Sequence, residues 1–289
     1  NMKSSQELFI TVDEKFSTLS NGKLIRQTKL PNGKRTDYWK QELPHAPYLF
    51  MFAVGEYKVV KDSYTKLNGQ KIDVNYYVEP EWEKSAKAIF GETPAMISFF
   101  SKKLGIDYPW DKYNQIVVRD YISGAMENTG AVVFGDFVYK NNRELLDGNH
   151  QSIIAHELFH HWFGDLVTCE SWANLPLNES FANYAEFLWN EYRYGKDVAD
   201  YEFDIASNQY YEEYDNGSNH DLIWYNHSNP DNMFDRHSYN KGGRILHLLR
   251  NYVGDEAFFT SLNKYLTSNQ FKSAEIDDLR LAFEEVTGE

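Results

Sequence analysis

One short motif restricts the fold of this 289-residue chain more than any other feature of its sequence. His156 and His160 are four residues apart, and Glu157 lies between them. On an α-helix four residues turn through about 400°, so both imidazoles leave the same face of the helix, one turn apart. The motif therefore predicts a helix, which we expect over residues 151–163. Apolar residues flank the motif as a packed helix requires: Ile153, Ile154, Phe159 and Trp162.

Two imidazoles on one helical face suit a single zinc ion, and the neighbouring Glu157 can reach a water molecule on that ion. A catalytic zinc site needs a third protein ligand and one open position. Glu179 follows His160 after eighteen residues, at the start of a second predicted helix with Asn178 as its N-cap. By spacing alone, the preferred explanation of Glu179 is an ordinary first-turn glutamate that the helix dipole favours.

The secondary-structure pattern changes along the chain. Residues 1–75 alternate apolar and polar side chains in short runs, as strands do, and the turn signals Pro31-Asn32-Gly33 and Asn68-Gly69 predict hairpins. After Pro80 the period becomes helical, with a break near Gly91. Two more strands are predicted at residues 115–118 and 131–134, and helices at roughly 151–163, 179–193, 198–214, 238–252, 255–267 and 275–287.

Charge and cysteine content exclude several classes of protein. The chain has 43 acidic and 29 basic residues, a formal charge of −14 and no cluster of lysine or arginine, so we expect no nucleic-acid partner. Its one cysteine, Cys169, excludes an internal disulfide and a cysteine-based zinc finger. The longest apolar run, residues 46–55, is too short to span a membrane, and we expect no transmembrane segment in this chain.

Four motifs, taken in order, give the chain a specific family resemblance. They are Gly124-Ala125-Met126-Glu127-Asn128, then His156 to His160, then Asn178-Glu179 after the eighteen-residue spacer, then Tyr239-Asn240-Lys241-Gly242. The chain resembles the gluzincin aminopeptidases of the aminopeptidase N family. Residues 162–168, directly after the second histidine, also match that family. The spacer is one residue shorter than in thermolysin-type endopeptidases, which argues against that sister group.

The resemblance implies an α+β fold with a mixed sheet followed by a mostly α-helical part. Residues 1–75 resemble the C-terminal part of the family's N-terminal β-saddle domain, and residues 76–289 resemble its thermolysin-like catalytic domain. The family's C-terminal helical domain is absent, so we interpret the chain as a fragment that contains the catalytic region. Ser180 stands where the family usually has glycine, and Pro176 where tryptophan is common. We expect both departures to reshape the pocket wall.

The same resemblance implies a role for each residue of the zinc site. His156, His160 and Glu179 would hold one Zn²⁺ per chain, with water in the fourth position. Glu157 would act as the general base that takes a proton from this water and passes it to the leaving amine. Tyr239 would donate a hydrogen bond to the oxyanion that forms during the reaction.

Glu127 is the residue that the resemblance assigns to recognition of a free N-terminus. The α-ammonium group of a peptide needs a buried carboxylate partner when it leaves water. The backbone of Gly124 and Ala125 would lie along the substrate, Met126 would line the first side-chain pocket, and Asn128 completes the substrate-binding motif. The expected partners are therefore peptides with a free N-terminus. Without the zinc motif, this segment would be interpreted as a surface turn.

Two further sets of residues need an assignment. Glu186 lies seven residues after Glu179, on the same helical face, and matches a family glutamate that hydrogen-bonds a zinc histidine. An exposed position explains Glu186 nearly as well. The remaining histidines lack ligand spacing, and we expect them to be structural or exposed: His45, His150, His161, His220, His227, His237 and His247.

The function that these residues predict is a zinc-dependent aminopeptidase. Two alternatives use the same zinc site, an endopeptidase and an epoxide hydrolase, and a non-catalytic peptide-binding module ranks last because every ligand is present. The preferred N-terminal residue and the oligomeric state are left undetermined. Asn178-Glu179-Ser180 is a glycosylation sequon beside a predicted ligand, which argues against a eukaryotic secretory route and leaves a cytoplasmic or a bacterial exported location open.

Overall fold

The computed structural model describes residues 2–288. Its strands are β1 Ser4–Asp13, β2 Ser17–Ser20, β3 Lys23–Leu30, β4 Lys34–His45, β5 Phe52–Gly55, β6 Lys58–Val60, β7 Ser63–Thr65, β8 Lys71–Asp73, β9 Tyr76–Val78, β10 Asn114–Val118, β11 Ala125–Met126, β12 Ala131–Gly135, β13 Thr168–Cys169 and β14 Ser273–Ala274. Its α-helices are α1 Ala86–Phe90, α2 Thr93–Leu104, α3 Glu144–Asp147, α4 Gln151–Phe159, α5 Pro176–Tyr194, α6 Lys196–Asp215, α7 Gly242–Val253, α8 Asp255–Asn269 and α9 Ile276–Thr287. The predicted α+β class is confirmed.

One compact unit comprises Met2–Phe99 and Asp107–Glu157. It begins with a three-stranded antiparallel sheet in the order β1-β4-β3. The turn between β3 and β4 contains Asn32 in the left-handed region, at a φ of 64°, which asparagine tolerates better than most residues. β7 and β8 pair across Asn68-Gly69. Both hairpins that the turn residues predicted are therefore confirmed.

A mixed five-stranded sheet in the same unit has the order β11-β12-β10-β9-β6. Its central strands β9, β10 and β12 run parallel, whereas β6 and β11 pair antiparallel at the two edges. β10 and β12 are buried along almost their whole length, which explains their continuous apolar runs. The edge strand β11 holds Ala125 and Met126, so the 124–128 motif lies at the rim of this sheet.

A buried lysine in this unit joins two segments that are far apart in the sequence. Lys112 is 6% exposed, and its ammonium group donates to the carbonyl oxygens of Ser20 at 2.9 Å and Gly130 at 2.8 Å. Its Nζ also lies 5.6 Å from the ring centre of Trp39, a core residue. Burial lowers the pKa of Lys112 from 10.5 to about 7, because the charged form loses its hydration.

The second compact unit comprises Phe100–Ile106 and the chain from Leu158 onward, and it is mostly helical. α5 packs against α6 and α7, and α8 packs against α9. Stacked aromatic rings fill its interior, where the ring centroid of Phe163 lies 4.1 Å from that of Phe181 and 6.1 Å from that of Tyr265. These rings pack the chain that follows the zinc motif against α5 and α8.

The helices predicted after residue 150 are observed, with differences at their ends. α4 ends at Phe159 instead of residue 163, and a five-residue π-helix, His237–Lys241, precedes α7. α5 begins at Pro176, a position where the missing N–H of proline costs nothing. Asn178 therefore lies inside the first turn, and the prediction that it caps this helix is wrong.

No helix within residues 2–288 is both long enough and apolar enough to cross a bilayer. The predicted division of the chain after residue 75 stays a prediction. The five-stranded sheet takes β6 from before that point and β9 to β12 from after it.

We expect the stability contribution of Lys112 to depend on pH. The unfolded chain keeps this proton up to about pH 10.5, whereas the folded chain releases it at about pH 7. Between these values the unfolded state binds more protons, so the free energy of unfolding rises with pH. Relative to Lys112→Met, the wild type should gain about 1–3 kcal/mol between about pH 7 and pH 9.5 in urea unfolding. Lys23→Met, at a half-exposed lysine, is the control, and relative to it the wild type should show no such rise in the free energy of unfolding. A rise of equal size relative to both variants would refute the assignment to Lys112.

Candidate metal centre

The helix α4 carries the His-Glu-x-x-His motif. Asn149 forms an Asx turn just before the helix, where its Oδ1 accepts a hydrogen bond from the backbone N–H of Gln151 at 3.0 Å. At the other end of α4 the hydrogen bonding changes to the i→i−3 pattern of a 3₁₀ turn. The Trp162 N–H donates to the Phe159 carbonyl, three residues earlier, at 3.0 Å. His160 is therefore the first residue after the α-helix, in the turn that continues it.

The hydrogen bonds of His160 fix which of its ring nitrogens can bind a metal. Nδ1 lies 3.0 Å from the backbone carbonyl oxygen of Phe163. A carbonyl only accepts, so Nδ1 carries a proton, and in the neutral imidazole Nε2 keeps its lone pair. Nε2 lies 3.3 Å from Oε2 of Glu179. An ionised carboxylate also only accepts, so this contact needs either a metal ion close to both atoms or a second proton on the imidazole.

His156 is the remaining predicted ligand, and it lies on α4, one helical turn before His160. His156, His160 and Glu179 are 8%, 1% and 5% exposed. Two imidazole nitrogens and a carboxylate oxygen form a donor set that suits zinc. The structure brings His160 and Glu179 together, and the chemistry of the predicted donor set fits the metal.

Asn178, beside Glu179, anchors the start of α5. Its side-chain Oδ1 accepts a hydrogen bond from the backbone N–H of Cys169 in β13, at 3.1 Å. Asn178 is 1% exposed. The sequon asparagine is therefore inaccessible in the folded chain, and its side chain holds the glutamate-bearing helix in place.

Gly164 allows the chain to wrap around His160. Asp165 N–H donates to the His160 carbonyl at 2.8 Å, which closes the turn. Gly164 has a φ of 143°, and a Cβ there would lie 3.1 Å from the His160 carbonyl oxygen and 3.2 Å from its Nδ1. Only glycine combines this backbone conformation with so close an approach to the imidazole.

The 124–128 motif forms a loop whose conformation is fixed by hydrogen bonds. Gly124 has a φ of 78°, and its carbonyl accepts the Gly135 N–H at 2.7 Å, which extends the pairing of β11 with β12. Asn128 donates from Nδ2 to the Leu49 carbonyl at 3.1 Å, and its own carbonyl accepts the Ala131 N–H at 2.8 Å. The 124–128 segment is therefore an anchored loop at the sheet edge and not a plain surface turn; its predicted role in substrate binding stays a prediction.

Glu127, on that loop, lies close to Glu157 of the His-Glu-x-x-His motif. The ligand atoms of Glu127 and Glu157 lie within 4.8 Å of one another, and the two residues are 6% and 5% exposed. Tyr48 donates from its hydroxyl to Glu127 Oε1 across a long contact of 3.4 Å. Burial raises the pKa of Tyr121, and the charges of Glu157 and Glu127 raise it further. Neither tyrosine carried a sequence signal, since the chain has 21 of them.

Residues 89–289 match the Peptidase family M1 domain, and they make up more than half of the chain. The chain belongs to peptidase family M1. It is 32% identical over 302 residues to aminopeptidase N of Streptomyces lividans, which covers 100% of this chain and 34% of that protein. It is 29% identical over 295 residues to glutamyl aminopeptidase of Bitis rhinoceros, which covers 100% of this chain and 30% of that protein.

The fold of this M1 chain is similar to a solved structure. It matches the crystal structure of Legionella pneumophila aminopeptidase A with a TM-score of 0.85 at 21% identity, over 99% of this chain and 33% of that one. The chain spans about a third of the length of the curated relatives that it matches.

Tyr239 lies half-buried on the π-helix. The residue before it, Ser238, connects this helix to α5 through a hydrogen bond. Ser180 Oγ donates to the Ser238 carbonyl at 2.7 Å, and a Cβ on Gly242 would lie 1.8 Å from that same Oγ. Ser180 and Pro176 both line an apolar cavity of about 320 Å³ whose walls come from α5, α7 and α9. The oxyanion role of Tyr239 stays a prediction.

Glu186 is half-buried on α5, one turn after Asn183. Asn183 donates from its Nδ2 to Glu186 Oε1 at 3.3 Å. The predicted hydrogen bond from Glu186 to a zinc histidine stays a prediction.

We expect Gly164→Ala to weaken zinc binding through His160. The added Cβ crowds the imidazole, and disturbing the support of a ligand typically costs about 10–100-fold in metal affinity. Gly195→Ala is the matched control, because Gly195 has a φ of 93° but a Cβ there would meet no atom within 4 Å. Competition with a chromophoric chelator measures the affinity. Equal zinc affinity of the two variants would contradict the role given to Gly164.

Proposed function

We propose that this M1 chain is the zinc-binding catalytic region of an aminopeptidase that hydrolyses the N-terminal peptide bond of peptides. The observation that carries the proposal is the buried contact of 3.3 Å between His160 Nε2 and Glu179 Oε2, which a zinc ion would satisfy. The proximity of Glu127 to Glu157 supports it. Membership of family M1 and the aminopeptidase names of the relatives agree with it.

One Zn²⁺ per chain would be held by His156, His160 and Glu179. A set of two histidines and a glutamate is typical of catalytic zinc sites, which keep a further position open. When bound, zinc supplies Lewis acidity that lowers the pKa of water to about 7 and polarises a carbonyl group. This chain's own residues must then position the substrate and move the protons.

Glu157 is the residue that we propose as general base. It lies on α4 beside His156 and is 5% exposed, so its carboxylate is held at the metal centre and not in bulk water. A carboxylate oxygen of Glu157 would take a proton from the attacking water and later deliver it to the leaving amine. A positioned base of this kind contributes about 10²–10⁴ in rate.

The charge of the site indicates what else it binds. Glu127, Glu157 and Glu179 are three buried carboxylates. Buried charges need compensation. Zinc supplies two positive charges, and the α-ammonium group of a peptide supplies the third. Glu127 lies outside the zinc ligand set, and we assign it to this ammonium group.

The edge strand β11 supports an extended substrate. It pairs with β12 and ends the five-stranded sheet, so a peptide can add to it through backbone hydrogen bonds. Gly124 and Ala125 are small enough to allow close approach, and the half-buried Met126 would line the first side-chain pocket. Asn128, bonded to the Leu49 carbonyl, would hold the loop in this shape.

Tyr239 and Glu186 complete the proposed set. Tyr239 would donate its hydroxyl proton in a hydrogen bond to the oxyanion, a contribution worth about 10²–10³ in kcat in comparable sites. Glu186 would hydrogen-bond a zinc histidine and fix its tautomer. For the architecture, we propose that residues 1–75 are the end of a β-saddle domain and residues 76–289 a thermolysin-like catalytic domain.

The full chain should cleave a peptide with a free N-terminus, and a zinc chelator should abolish this cleavage. Glu157→Gln should keep its zinc and lose about 10²–10⁴ in kcat, because the amide cannot take the proton. Zinc content by atomic emission and single-turnover kinetics check both parts. Glu170→Gln, at an exposed position, is the control. Full activity of zinc-loaded Glu157→Gln would rule out its role.

Glu127→Gln should selectively impair handling of free-amine substrates. Removing one partner of a buried, hydrogen-bonded charge pair costs about 2–5 kcal/mol, so kcat/KM for the free peptide should fall by about 30-fold or more. Activity on the acetylated form of the same peptide should stay at its low starting value. Glu81→Gln, at an exposed carboxylate, should change neither.

The same matched peptides separate the alternatives. Cleavage of the free and acetylated forms alike would identify an endopeptidase and void the assignment of Glu127. Chelator-sensitive opening of an epoxide without peptide cleavage would identify an epoxide hydrolase. Zinc binding with neither reaction would leave the peptide-binding module.

A further inference from the structure

A buried asparagine joins the two segments that flank the contact between Tyr48 and Glu127. Asn21 follows β2 and is 1% exposed. Its Nδ2 donates to the Leu49 and Thr129 carbonyls, each at 3.0 Å, and its Oδ1 accepts the Met51 N–H at 2.9 Å. A flipped amide would turn its NH₂ group toward the Met51 N–H, another donor, so the side chain has one favourable orientation.

These bonds reach the chain neighbours of both residues in that contact. Leu49 follows Tyr48, whose hydroxyl donates to Glu127 Oε1 at 3.4 Å. The Leu49 carbonyl also accepts from Nδ2 of Asn128, the residue after Glu127, at 3.1 Å. Asn21 and Asn128 therefore donate to the same carbonyl oxygen. They hold the backbone that carries the tyrosine next to the backbone that carries the carboxylate.

A second bridge runs beside the first. Lys112 Nζ donates to the carbonyl of Ser20, the residue before Asn21, at 2.9 Å. It also donates to the carbonyl of Gly130, the residue after Thr129, at 2.8 Å. Two bridges thus join residues 20–21 to residues 129–130. Together they restrain both the position and the rotation of the end of the 124–128 loop, which a single hydrogen bond would not.

We propose that Asn21 is a positioning residue for Glu127 in recognition of the N-terminus of a peptide. It acts through Tyr48, which contacts the carboxylate, and through Asn128, its neighbour in the chain. The inference rests on the proposed function, in which Glu127 binds the α-ammonium group. A charged hydrogen bond of this kind depends on distance and direction, so the carboxylate must be held within about 0.5 Å of its productive place.

Loss of the Asn21 amide would loosen the loop without removing any group that touches the substrate. The Thr129 carbonyl and the Met51 N–H would each lose a hydrogen bond. Glu127 would keep its charge but would no longer be held in one direction. The affinity for the ammonium group of a ligand should therefore fall, whereas the affinity for the rest of the ligand should not.

The test compares two probes on the zinc-loaded full chain. Alanine hydroxamate carries a free α-amine, and propanohydroxamic acid is the same molecule without it. Isothermal titration calorimetry gives both affinities, and their ratio measures recognition of the amine alone. Asn21→Ala should lower this ratio by about 10-fold or more, because a misplacement of about 1 Å can cost about 100-fold. Asn75→Ala, at a buried asparagine that bonds the Asp62 N–H instead, is the control and should keep the wild-type ratio.

Tyr48→Phe is a second variant with a milder effect on folding. It removes one hydroxyl from a half-buried ring and leaves the bonds of Asn21 in place. We expect it to lower the same ratio by about 2–10-fold, the contribution of one hydrogen bond. In the double variant the two effects should add to less than their sum, since both act on one carboxylate.

The outcomes separate this inference from the proposed function. A wild type that binds both probes equally would void the assignment of Glu127 and this inference with it. A wild type that prefers the amine, with the same preference in folded, zinc-loaded Asn21→Ala, would overturn this inference alone. An equal loss of affinity for both probes would also overturn it, because it would indicate a purely structural role. If Asn21→Ala does not fold, an unchanged ratio in Tyr48→Phe would overturn it instead.

Discussion

The contact between His160 and Glu179 is the constraint on which the rest of the site depends. The Phe163 carbonyl holds the proton of His160 on Nδ1, so the lone pair of Nε2 faces a carboxylate oxygen at 3.3 Å. In a buried region this arrangement is unfavourable unless a proton or a metal ion is shared between the two groups. In the proposed site a zinc ion would replace that proton. Preorganised side chains of this kind would keep the proposed ligands in place when a substrate binds.

The surrounding structure holds this contact through short-range features. Gly164 lets the turn after α4 fold back against the imidazole, and Asn178 bonds the start of α5 to β13. The stacked rings of Phe163 and Phe181 then pack the two ligand-bearing segments together. Each of these residues lies within four positions of a proposed ligand. Local chain geometry, more than distant packing, thus determines where the two ligand atoms lie.

Much of the fold follows from the sequence because its signals are local. Turn residues such as Asn68-Gly69 and helical periodicity predicted the hairpins and most helices, and the histidine spacing predicted a shared face. Asn178 was assigned as a cap because asparagine favours that position, but proline two residues earlier starts the helix. The approach of Tyr48 to Glu127 and the π-helix depend on long-range packing, which spacing does not encode.

The π-helix is tied to the helix that carries a proposed zinc ligand. Ser180, the residue after Glu179, donates to the Ser238 carbonyl, and Asp235 accepts the Ser238 N–H. The residue before Tyr239 is therefore held by α5 through its carbonyl and by the Asp235 carboxylate through its N–H. π-Helical turns are rare, and they are frequent at functional sites. The position of Tyr239 in the chain thus depends on two contacts made by its neighbour, one of them to the helix of Glu179.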